Sequence, residues 1–163
     1  MASAFSFSIG LICDVIYIFI HGYSKLQLNT LLFILILFLG IVLHELVHGV
    51  MFSIYSQKKW KSVSFGFMWK YLMPYCSCDE CLAYKPYVLS GIMPTIIVGF
   101  LPYVIALLLG SNALMQFSFY MILGGGGDMY IIYTIRKYKK AIFVDHPTKG
   151  GCVAFEEMDY EVN

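Results

Sequence analysis

Residues 30–56 form one long apolar run whose only acidic, basic or histidine side chains are His44, Glu45 and His48. Its first fourteen residues, 30–43, carry no charge at all. Such a run suits a hydrocarbon environment, where each backbone N–H and C=O must be satisfied within the segment itself, and a helix does this. In a helix, positions i and i+4 share a face. His44 and His48 therefore point the same way, one turn apart, as two imidazole ligands of one zinc ion need. Glu45 falls on the neighbouring edge, within reach of a water at the metal without having to be a ligand. Ionisable groups at this depth are expensive without a partner and so mark a functional site. The competing account is a chance His-Glu-x-x-His whose histidines bond to neighbouring helices. It is the weaker one, because the motif and its apolar helical setting coincide.

Composition gives the rest of the chain the same class. Of 163 residues, 60% are hydrophobic and 13% charged, against about a quarter charged in soluble domains. The mean hydropathy is +0.74. Length and composition together read as one membrane domain. The net charge of +1 offers no basic surface for nucleic acid. The cysteines are Cys13, Cys76, Cys78, Cys81 and Cys152. An odd number with three crowded together is not a secreted disulfide framework. Cys76, Cys78 and Cys81 have a spacing that suits a second metal, but no fourth ligand is evident.

The spacing of apolar runs predicts spans over 5–20, 30–56, 86–109 and 113–135. The first ten residues lack Lys and Arg and no small-x-small site follows, so the first span is read as an anchor and not a cleaved leader. Asp14 lies inside it and is expected to be satisfied by another helix. Gly40 and Gly49 leave room for close packing in the second span. Pro94, Gly99 and Pro102 predict kinks in the third. Gly124, Gly125, Gly126 and Gly127 precede Asp128 in the fourth. They form no phosphate loop, because no Gly-Lys-Ser/Thr follows; they are expected to permit close backbone approach. The insert, 57–85, alternates apolar with small or polar residues over 61–67, which is a strand signal. A hairpin at the membrane surface is expected, anchored by Trp60, Trp69 and Tyr75. In the tail, two apolar runs, 142–144 and 152–155, flank a turn containing Asp145, His146 and Pro147, and predict a second small hairpin. The fold class is therefore an all-α membrane protein: about four transmembrane helices, a small β-hairpin-like cytoplasmic insert and a short soluble C-terminal tail. Residues 1–140 form the membrane domain and 141–163 the tail.

Lys58, Lys59 and Lys61 follow the second span and Arg136, Lys137, Lys139 and Lys140 the fourth, while the first loop holds only Lys25. The positive-inside rule puts both termini and the insert in the cytoplasm. Counting back from these cations places Asp128 at about the depth of the histidines. The other acidic residues after His48 all lie outside the spans. Asp128 is thus the candidate third ligand, or alternatively a carboxylate that orients one of the histidines.

His44-Glu45-x-x-His48 in one span and Gly127-Asp128 in a later one resemble the intramembrane zinc metalloproteases of the site-2 protease type. The closer resemblance is to a family of small bacterial membrane proteins known as putative zincin peptidases. It is carried by Phe65-Gly66-Phe67, the stretch from Pro74 to Cys78, Pro94 with Gly99 and Pro102, Gly127-Asp128, Asp145-His146-Pro147, and Gly151-Cys152. The resemblance implies one zinc per chain on His44, His48 and Asp128, a catalytic Glu45, and residence in a bacterial cytoplasmic membrane. No Asn-Pro-Asp-Gly-type motif surrounds Asp128, so no substrate-gating role comes with it.

The chemistry implied is zinc-assisted hydrolysis of a peptide bond in a transmembrane or membrane-proximal protein, with Glu45 as general base. The 61–67 strand, with Val63, Phe65 and Phe67 along it, is the candidate to hold the substrate extended by strand addition. Two other classes use the same residues. A membrane metal carrier or sensor needs the histidines and Asp128 but not Glu45. A protease-like scaffold needs none of the chemistry.

Overall fold

A computed structural model describes residues 2–22, 28–69, 73–146 and 150–155. Among these, three helical stretches are long and apolar enough to cross a membrane: Ala4–His21, Thr30–Tyr55 and Tyr84–Leu109. The first lies in helix α1 (Ala2–His21) and the second is helix α2 (Thr30–Tyr55). Asn29 caps α2, its side chain accepting from the N–H groups of Leu31 and Leu32 and so satisfying two amides that have no partner inside the helix. The outer faces of both helices are strongly apolar; Phe19 is 90% exposed and Leu31 77%. Lipid tails are the medium in which such faces are stable.

The third stretch is not uniform. Helix α3 (Tyr84–Pro94) passes into a π-helical turn, Thr95–Phe100, and then helix α4 (Leu101–Leu109). Pro94 lacks the N–H that would continue the α ladder, and the chain re-registers. The N–H of Leu101 accordingly reaches back five residues to the carbonyl of Ile96. The expected irregularity at Pro94 thus takes the form of a widened turn. The expected span over 113–135 is two helices in series, α5 (Asn112–Gly124) and α6 (Gly126–Ile135). At 13 and 10 residues, neither alone reaches across the roughly 30 Å of a hydrocarbon core.

Two small sheets complete the fold. Strands β1 (Val63–Met68) and β2 (Met73–Cys78) form the expected antiparallel hairpin, with Phe65 opposite Cys76. A 3₁₀ turn, Lys59–Ser62, precedes it, so β1 starts two residues later than the 61–67 pattern indicated. That turn is held by the Ser62 hydroxyl, which donates to the Lys59 carbonyl. Both carboxylate oxygens of Glu80 accept backbone N–H groups, from Gln57 at 2.7 Å and Lys58 at 2.8 Å. The hairpin is thereby tied to the end of α2.

The second hairpin, β4 (Ile142–Asp145) with β5 (Cys152–Phe155), is also present. Strand β4 pairs in addition with β3 (Leu82–Ala83), immediately ahead of α3. Lys25, Pro147 and the acidic residues after Phe155 lie outside the described residues.

Two buried clusters hold the elements together. One joins Phe52, Cys78, Leu82, Tyr87, Ile135, Ala141 and Phe143, and so ties α2, the hairpin, α3, α6 and the tail strand. The other gathers Cys13, Tyr17, Tyr103, Ala106, Met115 and Ile122 between α1, α4 and α5. Cys13 is a packed small hydrophobe within it.

Candidate metal centre

Helix α2 sets His44 and His48 one turn apart with ring centroids 5.0 Å from each other. Asp128 comes to meet them from the first turn of α6. Its Oδ2 lies 3.1 Å from His44 Nε2 and 3.4 Å from His48 Nε2. One donor atom from each of the three residues lies within 4.8 Å of the others. A carboxylate among apolar helices is costly without a partner; the two imidazoles and the amide end of α6 offset that cost. The histidine side chains are 11% and 8% exposed and that of Asp128 26%, so the cluster is open on the Asp128 side.

The break that places Asp128 depends on Gly125. A side chain there would run into the hydroxyl of Thr95 on the π turn, so the start of α6 lies flush against the third span. Gly127, expected to make a close approach beside Asp128, meets open space instead, as does Gly124. Of Gly124, Gly125 and Gly127, only Gly125 is turned towards Thr95.

His48 carries the most informative contact. Its Nδ1 lies 2.8 Å from the carbonyl oxygen of Ser90. A carbonyl only accepts, so Nδ1 bears the hydrogen. Ser90 has an outward-facing carbonyl to offer because the residue four positions on is Pro94, which has no N–H to give it. With Nδ1 protonated, a neutral His48 presents the bare lone pair of Nε2 to Asp128 Oδ2. Two acceptors at 3.4 Å repel unless a proton or a metal cation lies between them. Two zinc ligands each about 2.0–2.1 Å from a tetrahedral ion stand roughly 3.4 Å apart, and the two histidine–Asp128 separations are 3.1 and 3.4 Å. The donor set, its spacing and the His48 tautomer therefore fit a zinc ion.

Glu45 is half-buried on the adjacent edge of α2. Its carboxyl lies among His44, His48 and Asp128, with the backbone amide of Cys76 facing it. Cys76 and Cys78 are two apart on β2, so their N–H groups leave the strand on the same side. The Cys78 N–H goes to Asp145, and that of Cys76 faces Glu45. The outer edge of β2 is thus turned towards the cluster.

The three expected substrate-binding residues are spread along β1. Phe65 packs on α2 where Gly49 has no side chain, one residue past His48. Val63 packs against the cluster around Phe52 and Tyr87. Phe67 faces Trp69 at 4.8 Å. Cys76, Cys78 and Cys81 do not converge as His44, His48 and Asp128 do; Cys78 is buried and Cys81 exposed. Burial pushes the Cys76 and Cys78 thiols up, away from the thiolate a metal requires. Sequence reading missed Ser90 and the Cys76 amide because both act through the main chain. The one signal for Ser90 was the proline four residues later.

A model of a protein family described as "Putative zincin peptidase" matches residues 37–143, which include His44, Glu45, His48 and Asp128. No curated protein and no solved structure matches the chain.

Proposed function

The chain belongs to the family described as "Putative zincin peptidase", and from that premise we propose that it is an intramembrane zinc metallopeptidase. It hydrolyses peptide bonds of membrane-embedded or membrane-proximal proteins. The observation that carries this reading is the convergence of His44, His48 and Asp128, with His48 held in the tautomer that leaves Nε2 free. These three residues hold one zinc per chain. When bound, zinc supplies Lewis acidity, which lowers the pKa of a water towards about 7 and polarises a carbonyl. Glu45 takes the proton from the attacking water and returns it to the leaving nitrogen. The Cys76 amide facing it steadies the Glu45 carboxylate before the first transfer and after the second. Phe65, seated beside His48, lines the approach, and the hairpin with Val63 and Phe67 offers a strand edge to an unwound substrate segment.

Glu45 is what favours hydrolysis over a metal carrier or sensor, or an inactive scaffold. None of these needs a carboxylate among the ligands that does not itself bind. The test is turnover of a membrane-tethered peptide by protein in nanodiscs. Chelation is expected to stop cleavage and zinc to restore it; cleavage indifferent to the chelator would overturn the assignment.

We further propose that α5 and α6 together complete a fourth crossing and that both termini and the hairpin lie on the cytoplasmic side of a bacterial membrane. The lysines around Trp60 and the cations after Ile135 support that orientation. Asn112→Cys should be labelled by an impermeant thiol reagent only from the opposite side. Labelling from the cytoplasmic side would contradict it.

A further inference from the structure

Asp145 lies outside the metal cluster, on the C-terminal strand β4, yet both of its carboxylate oxygens are committed to elements that build the cluster. Oδ1 accepts from the hydroxyl of Tyr87 on α3 at 2.5 Å. Oδ2 accepts from the N–H of Cys78 at the end of β2 at 2.8 Å. Each contact leads to the site by a short path. Tyr87 sits three residues before Ser90 on α3, so the two share a helix face, and Ser90 holds Nδ1 of His48. The ring of Tyr87 also lies against Phe52 at 6.3 Å, and Phe52 stacks on His48 at 6.2 Å. Cys78 lies two residues after Cys76, whose amide faces Glu45. One carboxylate therefore fastens the third span behind a metal ligand and the hairpin in front of Glu45. Burial pushes the Asp145 carboxyl up, and the two donated hydrogen bonds oppose that shift.

We infer that Asp145 is a positioning residue for the metal centre, and that the C-terminal strand carrying it is a working part of the site. The inference rests on the metal reading given above, but not on catalysis. In geometric terms, Asp145 sets where α3 presents the Ser90 carbonyl to His48, and so how well Nε2 is aimed.

Zinc affinity of the full chain in nanodiscs, measured by competition with a chelator, tests this. Asp145→Ala removes both contacts and is expected to weaken zinc binding by about tenfold, the low end for partners that orient a ligand. Tyr87→Phe keeps the ring and removes only the hydroxyl contact, and should lower affinity in the same direction. Asp145→Asn should stay near wild type, because its amide oxygen accepts from Cys78 while its NH₂ donates to the Tyr87 oxygen. Met115→Ala, in the other buried cluster, gives the control for general destabilisation: a lower melting temperature with zinc affinity retained.

Wild-type affinity in Asp145→Ala would overturn the inference, as would an equal loss in Met115→Ala. A loss in Asp145→Asn as large as in Asp145→Ala would also overturn it, since the two contacts would then not be what matters. If wild type takes no zinc, this inference and the proposed function fall together. If Asp145→Ala weakens zinc binding but wild type cleaves nothing, the inference stands and the peptidase reading alone falls.

Discussion

Glu45→Gln is expected to keep its zinc and lose turnover by about 10²–10⁴-fold, the usual contribution of a positioned general base. The exchange is isosteric. The carboxamide still offers an oxygen to the Cys76 amide that faces this position, so the hairpin has no reason to move. It has no basic oxygen to take a proton, and that is the one property removed. The metal ligands are untouched, because Glu45 sits beside the His44, His48 and Asp128 set and outside it. Zinc content and single-turnover rate, measured on the same preparation, separate the outcomes. Full turnover in the variant would mean that Glu45 is not the base. Loss of zinc together with turnover would mean that Glu45 is a ligand and that the three-residue set is incomplete.

Asp128→Asn is expected to weaken zinc binding by more than the roughly 10–100-fold that an orienting partner is worth. An amide oxygen is neutral and a poor zinc ligand beside a carboxylate. The substitution also removes the negative charge that lies 3.1 Å from His44 and 3.4 Å from His48. With it goes the attraction that draws a cation into an apolar surrounding. Chelator competition reads the change directly. Affinity within the orienting range would make Asp128 a partner of the histidines and not a ligand. Wild-type affinity would place the third ligand elsewhere in the chain.

Features of the fold that rest on periodicity are legible in the residues alone. His44 and His48 share a face because about 3.6 residues make a turn, and no tertiary information is needed for that. Asp128 was reachable as the one acidic residue after His48 that lies within a long apolar run. The β1–β2 hairpin and the 142–155 hairpin followed from alternation and turn residues.

What could not be read depends on which side of a helix meets its neighbour. The glycines at 124–127 look alike in sequence, and only packing against Thr95 selects Gly125 over Gly127. The break it creates turned an expected fourth helix into α5 and α6. Pairing of the two-residue strand β3 with β4 joins positions 82 and 143, a contact without any local signature. Pro94 was legible as an irregularity. Its consequence, a Ser90 carbonyl left for His48, required knowing that α3 runs behind α2.

Elemental analysis of purified protein tests the central claim most directly. Wild type should carry close to one zinc per chain, and the His44→Ala/His48→Ala double variant, still folded and membrane-inserted, should carry none. The same zinc content in both proteins would contradict the account.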